Sequence, residues 1–202
     1  MIALDQANTV AGVGSSFTFP HQCVGANRIL FAVVCYVPDQ DQEIQAVTYG
    51  GQPMTKYGDT QIRSDVYEEF WFLVAPPEGV ADVGVELSAP AKTVCASASF
   101  TGVAQADPIY FRANGVGDMV SQIPLACEAR SGDMLFGFGA VSGDGQAPVE
   151  VWQIGVWDKL QESNIRSQGI ASFPNFTAQI TVANKIVPAS RWAADIVGVR
   201  AA

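Results

Sequence analysis

Two adjacent glutamates, Glu68 and Glu69, are the residues of this chain whose types best fit a hydrolytic site. Two carboxylic acids that flank a glycosidic bond can cleave it, one as general acid and the other as base or nucleophile. The pair lies in VYEEFWFLV, a β-branched and aromatic run that predicts a strand. Neighbouring side chains on a strand point to opposite faces, so the second acid of such a site is not identified. A jelly-roll hydrolase that uses Glu68 or Glu69 is therefore the third of three functional hypotheses.

The sequence contains one histidine, His21, the single imidazole base available to a nucleophile triad. It follows Pro20 near the N-terminus, and no G-x-S-x-G motif supplies a nucleophile elbow. We expect His21 to lie on the surface or in a loop and to play no part in catalysis.

An acidic segment presents Asp39, Asp41 and Glu43 at alternate positions, where their oxygens could hold calcium. The segment lacks the glycine and the distal glutamate of an EF-hand loop, so a solvated acidic turn is the favoured interpretation. Four cysteines without C-x-x-C spacing, together with one histidine, argue against a zinc site. We predict no metal or other cofactor, and we expect buried, reduced thiols at Cys23, Cys35, Cys95 and Cys127.

A carbohydrate-binding face would use exposed tryptophans. Trp152 and Trp157 are the candidates, although strand residues five positions apart point to opposite sides. Trp71 stands among Phe70, Phe72 and other apolar residues, so we expect it in the core. A glycan-binding attachment module of lectin-like jelly-roll type is the second hypothesis.

Strand-like runs separated by turn residues make up most of the chain, and helical periodicity is weak. FTAQITVA and ADVGVEL alternate with period two, which predicts half-buried strands, whereas ILFAVVCYV is apolar on both faces and predicts a strand covered on both sides. Residues 157–166 could form a short helix or a long loop. The predicted strands are 16–19, 28–37, 44–49, 66–75, 81–87, 92–100, 120–127, 133–141, 149–156, 176–183 and 193–200.

This pattern predicts a single all-β domain over residues 1–202. We expect an antiparallel β-sandwich of jelly-roll type with two packed sheets and at most one short helix. Residues 1–13 could form an extended N-terminal arm. The glycine pair Gly50-Gly51 joins two strand-like runs with no following helix, which predicts a tight hairpin turn and argues against a phosphate-binding loop.

The formal charge of −9 would repel a phosphate backbone, so we expect no nucleic-acid partner. The first residues lack a basic region followed by an apolar run, and the longest apolar run, 29–37, is too short to span a bilayer. We therefore expect a protein that is made in the cytoplasm, carries no signal peptide and contacts no membrane.

Several stretches together resemble a β-sandwich module that recurs in tailed-phage virion proteins and some bacterial surface proteins. The order of the stretches carries the resemblance more than any single one. They are N-R-I-L (27–30), V-T-Y-G-G-Q-P-M (47–54), W-F-L-V-A-P-P-E-G (71–79), V-G-V-E-L (83–87), S-F-T-G-V-A-Q-A-D-P (99–108), G-D-M-L (132–135) and A-A-D-I-V-G-V (193–199).

The resemblance implies a jelly-roll or lectin-like sandwich without a shared catalytic set, so no catalytic residue carries over. It implies a non-enzymatic virion protein, either a capsid decoration subunit or a head–tail accessory subunit. The expected partners are a major capsid or other virion protein and further copies of this chain. This is the first hypothesis for function.

Overall fold

The computed structural model describes the backbone of residues 1–38, 42–63, 66–142, 158–163, 166–172 and 178–202. Side chains are described for 1–38, 42–60, 67–110, 112–115, 130–137 and 195–202. These residues form antiparallel strands, with no helix among them. The strands are β1 Ala3–Cys23, β2 Ile29–Val37, β3 Ile44–Tyr49, β4 Gln52–Pro53, β5 Thr55–Lys56, β6 Gln61–Arg63, β7 Val66–Val74, β8 Gly79–Thr101, β9 Ile109–Ala129, β10 Met134–Ser142, β11 Asp158–Ser163, β12 Arg166–Ser172 and β13 Ala178–Val199.

The strands form two sheets. The large sheet has the order β4-β3-β8-β2-β7-β5, with β1 also paired to β8 and β6 to β7, and the small sheet has the order β11-β12-β10-β13-β9. The prediction of an all-β, antiparallel, two-sheet fold of the sandwich kind is confirmed. Among the described residues, no helix has the length and apolar character needed to cross a lipid bilayer.

Strand β8 bends the large sheet over on itself. Its residues 91–101 pair with the first half of β1 and with β2, whereas residues 79–87 pair with the second half of β1 and with β3. Register shifts in β1 between Leu4 and Gln6 and between Gly14 and Ser16 mark bulges, which increase local bend and twist. Two runs predicted as separate strands, 81–87 and 92–100, are therefore one continuous strand.

Strand β2 is buried on both faces, as ILFAVVCYV predicted. Its odd-numbered residues belong to a first core between the two sheets, where Phe31 stacks on Phe70 and Phe136 at centroid distances of 5.1 and 5.2 Å. Its even-numbered residues belong to a second core, enclosed where the large sheet folds over β2 and β7. Alternation along one strand thus supplies two apolar layers.

The N-terminal segment is part of the large sheet, which corrects the expectation of an extended arm over residues 1–13. Residues 3–14 pair with β8 of the same chain. The Asp5 carboxylate accepts a hydrogen bond from the Val24 amide at 2.8 Å, and the Asn8 side-chain amide donates one to the Pro20 carbonyl at 2.7 Å. These side chains connect the two halves of β1 and give the large sheet an almost barrel-like form.

The Gly50-Gly51 hairpin prediction is confirmed. Tyr49 pairs with Gln52 across a two-residue loop, and φ is 56° at Gly50 and 80° at Gly51. Positive φ at both central positions is the mark of a primed hairpin turn, which glycine adopts without a Cβ clash. The pair is therefore a corner between β3 and β4.

Two sequence expectations differ from the described structure near the C-terminus. The segment 157–166 was predicted as a short helix or a long loop, but its described residues, 158–163 and Arg166, belong to strands β11 and β12. The runs 176–183 and 193–200 both contribute to β13, a single strand of 22 residues. The predicted strand 149–156 lies outside the described residues.

Candidate functional site

Glu68 and Glu69 lie on opposite faces of β7, as their adjacent positions predicted. Glu68 shares its face with Phe70 and points toward the first core, whereas Glu69 shares its face with Tyr67 and Trp71, which pack against the second core. Both glutamates are buried. The two acids therefore occupy separate environments, and each is described with its own neighbours.

Glu68 belongs to a sealed cluster that consists of Cys35, Glu68, Arg112 and Asp195. The Cys35 thiol donates a hydrogen bond to Glu68 Oε2 over 3.6 Å, while Oε1 has no hydrogen-bond partner among the described residues. Arg112 donates to both oxygens of Asp195, from Nε over 2.6 Å and from the guanidinium Nη2 over 2.9 Å. This fork geometry gives Asp195 a strong charged partner and leaves Glu68 with none.

Burial raises the pKa of Glu68 well above its ordinary value, and the negative charge of Asp195 raises it further. Burial also raises the pKa of Asp195, but the Arg112 guanidinium opposes that shift. The cluster therefore favours a neutral Glu68 beside an ionised Arg112–Asp195 pair. A neutral acid with no solvent access is poorly suited to protonate a substrate, so this arrangement is structural.

A turn holds Arg112 in place. Its guanidinium donates to the Asp59 carbonyl over 3.2 Å and lies 5.9 Å from the centroid of the Tyr57 ring. Gly58 has φ of 74°, and a Cβ added there would fall 1.6 Å from the Arg112 guanidinium. Glycine fits this position because it adopts the left-handed backbone without strain and leaves room for the arginine.

Glu69 lies at an open pocket instead of a sealed one. Its Oε1 is 2.8 Å from the Lys56 ammonium and accepts a 2.7 Å hydrogen bond from the Thr60 hydroxyl. Lys56 also donates to the Thr60 hydroxyl over 2.7 Å, so the three groups form a closed triangle. Glu69 Oε2 is buried and has no hydrogen-bond partner among the described residues.

The pocket has a volume of about 600 Å³. Strands β2, β3, β5 and β7 and the segments beside them supply its walls. Tyr36 and Tyr67 form a ring pair in the wall, with centroids 5.3 Å apart and planes inclined at 43°. The described residues that line the pocket are Tyr36, Gln42, Glu43, Ile44, Lys56, Thr60, Tyr67 and Glu69.

His21 is fully buried in β1, which corrects the expectation of a surface or loop residue. Its Nδ1 is 2.7 Å from the Ser97 hydroxyl and its Nε2 is 2.9 Å from the Ser99 hydroxyl, which donates in turn to Asp5 Oδ2 over 3.0 Å. Desolvation by burial lowers the pKa of His21 to about 4, although the Asp5 charge opposes the shift. A neutral imidazole enclosed by two strands is a satisfied core group, not a base that a substrate can reach.

The other sequence candidates fall partly outside the described residues. Asp39 and Asp41, proposed with Glu43 as calcium ligands, lie outside them, and Glu43 is exposed at the pocket. Trp152 and Trp157, the glycan-binding candidates, also lie outside the described residues. Within the described part of the chain there is no group of three or more histidine, cysteine or acidic residues that could hold a metal ion.

The cysteine prediction is confirmed where side chains are described, because Cys23, Cys35 and Cys95 are buried as thiols. Cys127 lies in the part of β9 whose side chains are not described. Trp71 is half-buried against the second core, in agreement with its expected packing role.

Sequence reasoning missed most partners of the two glutamates. Arg112 and Asp195 are 83 residues apart, and no local motif joins them. Lys56 and Thr60 stand close to Glu69 in sequence, but only the pairing of β5 with β7 brings them together. The contacts of the Gly58-Asp59 turn with Arg112 likewise depend on β9, which is distant in sequence.

Comparison of the chain with protein family models, curated proteins and solved structures gives no significant match.

Proposed function

We propose that this protein is a non-enzymatic structural subunit of a tailed-phage virion, of the capsid decoration or head–tail accessory kind. Its partners would be a major capsid or other virion protein and further copies of the chain. It would act by adding contact area to the particle surface, where many copies of a rigid sandwich resist internal pressure.

The observation that supports the non-enzymatic part is the burial of three acid–base groups among the described residues. His21, Glu68 and Asp195 all have no solvent exposure. Their hydrogen bonds and ion pairs connect strands of the same chain. A general acid or base must come within hydrogen-bond reach of a substrate, which these groups do not.

The virion part is supported by the order of the resembling stretches in the sequence, three of which contain non-glycine residues with positive φ. Asn27, Ala75 and Asp107 are non-glycine residues with positive φ, at 54°, 50° and 47°, and each lies in one of the resembling stretches. The Ala75 amide donates to the Arg28 carbonyl over 3.0 Å and the Val103 amide to the Asn27 carbonyl over 2.9 Å. These hydrogen bonds connect the three stretches in the folded chain.

A surface for particle binding is suggested by β1. Leu4 and Val13 are 39% and 74% exposed, and both belong to the strand that ties the large sheet together. We propose that these two exposed apolar side chains contact the partner protein.

Co-sedimentation with particles tests the proposal. The purified chain should sediment with virions or procapsids of the phage whose capsid gene lies beside its own, and a Leu4→Ser, Val13→Asp variant should bind less. Val80→Asp is the matched control, because Val80 is also an exposed valine but lies on β8. This variant should bind as wild type does. A folded protein that sediments with neither particle contradicts the proposal.

A further inference from the structure

Strand β1 has an outer edge that pairs with no strand among the described residues, because all of its ladder partners lie on β8. Backbone groups of its second half, at Pro20, Gln22 and Val24, instead bind side chains of its first half. Those side chains belong, in the same order, to Asn8, Gln6 and Asp5. They take the place of a neighbouring strand, because each satisfies a backbone group that would otherwise face solvent.

The first half of β1 also has backbone groups on this outer edge. The Thr9 amide donates to the Asn8 side-chain oxygen over 3.0 Å, so it points away from β8. Backbone groups on one side of an antiparallel strand recur at every second residue. Because no bulge interrupts residues 6–14, the amides and carbonyls of Ala11 and Val13 lie on the outer edge as well.

The outer edge at Ala11 and Val13 is not covered by side chains. No described residue forms a hydrogen bond with their outer backbone groups. Ala11, Gly12 and Val13 are all exposed, and Val13 is 74% exposed. Residues 6–20 include no charged side chain, whereas free strand edges ordinarily carry charges that discourage pairing. This short edge is therefore open to another strand.

A second copy of the chain offers the backbone that fits this edge. An extended strand presents amides and carbonyls at the matching spacing. Antiparallel pairing centred on Gly12 places Ala11 of each copy opposite Val13 of the other and forms about four backbone hydrogen bonds. This register leaves out Thr9, whose amide is already bound. It also brings no like charges together, which matters because each chain has a formal charge of −9.

We propose that two copies of this chain join their large sheets through the outer edge of β1, by antiparallel pairing of residues 11–13. Edge pairing uses backbone groups in the plane of the sheet, so the Val13 side chain stays exposed on the sheet face. The pairing does not depend on the virion role proposed above. An edge of this length buries much less than the roughly 1,000 Å² of a stable interface, so the dimer forms reversibly and depends on concentration.

Sedimentation equilibrium of the full chain at increasing protein concentration tests the proposal. Wild type should form dimers reversibly. Ala11→Pro removes the outward amide without removing a hydrogen bond to β8, and it should weaken dimerisation at least about tenfold. Ala11→Ser is the matched control, because it changes the same side chain but keeps the amide. This variant should dimerise as wild type does.

Two double variants test the register at side chains that are both exposed. Ala11→Glu combined with Val13→Glu places like charges opposite each other and should weaken dimerisation. Ala11→Lys combined with Val13→Glu places opposite charges there and should retain it. Hydrogen exchange of the Ala11 and Val13 amides in wild type should slow as the protein concentration rises.

The proposal is overturned if wild type stays monomeric at every concentration, if folded Ala11→Pro dimerises as tightly as wild type, or if the two double variants dimerise equally. Circular dichroism establishes that each variant is folded. Particle co-sedimentation of Ala11→Pro, which keeps Leu4 and Val13, is measured separately. It distinguishes failure of the β1 pairing from failure of the virion proposal.

Discussion

Glu68 and Glu69 are neighbours in sequence, yet they lie in two regions of the molecule that stabilise a buried carboxyl group in different ways. Glu68 enters the sealed cluster between the sheets, where the adjacent Asp195 already has the only close cation, Arg112, among the described residues of that cluster. Glu69 enters the pocket wall, where Lys56 and Thr60 hold one of its oxygens. On a strand whose two faces are both covered, one step along the chain therefore changes the entire environment of a side chain.

The difference in water access decides which state each region favours. In the sealed cluster, a second negative charge beside Asp195 would be desolvated and repelled, so a proton on Glu68 is the least costly solution. At the pocket, the Lys56 side chain is 33% exposed and stays solvated while it pairs with Glu69. The first region thus favours a neutral acid, whereas the second pairs its glutamate with a partly exposed lysine.

The largest expected effect comes from removing the cation of each region. Arg112→Met should lower the free energy of unfolding by about 3–5 kcal/mol, because it leaves Asp195 buried and unpaired. Lys56→Met should cost less, on the order of 1 kcal/mol, since Lys56 is partly exposed and Thr60 still donates to Glu69. Urea denaturation at pH 7 measures both. Equal losses of unfolding free energy in the two variants would contradict the stated difference between the two regions.

His21 is a third buried titratable group, but its protonated form is positively charged, whereas that of Glu68 is neutral. Its folded pKa of about 4 lies below the value of 6.5 for an unfolded chain, so the unfolded state binds the extra proton in between. The stability contributed by a neutral His21 is present above pH 6.5 and is lost as the pH falls toward 4, by on the order of 3 kcal/mol. Unfolding free energies measured between pH 4 and 7 should show this decline in wild type and lose it in His21→Gln. An unchanged slope in the variant would show that another group causes the decline.

Glu68 should give a pH dependence of the opposite sign. Because its folded pKa is raised above the ordinary 4.5, the stability from a neutral Glu68 is complete below that pH and is lost as the pH rises toward the folded value. Wild type should therefore lose stability relative to Glu68→Gln with rising pH, by at most about 1.4 kcal/mol per unit within that window. Denaturation of both proteins between pH 4.5 and 8 measures the difference. The same pH dependence in wild type and Glu68→Gln would contradict a raised pKa for Glu68.

Much of the architecture was predictable from local pattern. The bounds of β3 match the predicted run 44–49, and the apolar run of β2 predicted burial on both faces. The glycine pair predicted a two-residue hairpin because few residues other than glycine adopt two successive positive φ angles. Each of these features depends on neighbours within a few positions of the chain.

Predictions failed where distant contacts override local pattern. His21 follows a proline near the N-terminus, which suggested exposure, but Ser97 and Ser99 on β8 supply partners that make its burial possible. The break predicted near Pro90 does not divide β8, because β1 and β2 pair with the residues that follow it. The N-terminal residues looked like a free arm because their side-chain partners, such as Val24 and Pro20, appear only after the sheet bends.

The sequence by itself determined the strand class, the two-faced burial of β2, the hairpin at Gly50-Gly51 and the opposite orientations of Glu68 and Glu69. These follow from periodicity and from backbone conformations that few residue types can adopt. Only the tertiary structure decided that Arg112 and Asp195 surround one acid, that Lys56 and Thr60 hold the other, and that His21 is sealed. Those outcomes depend on which strands pair with each other. Long-range pairing sets the solvent access and the charged neighbours of each side chain, and no local motif predicts it.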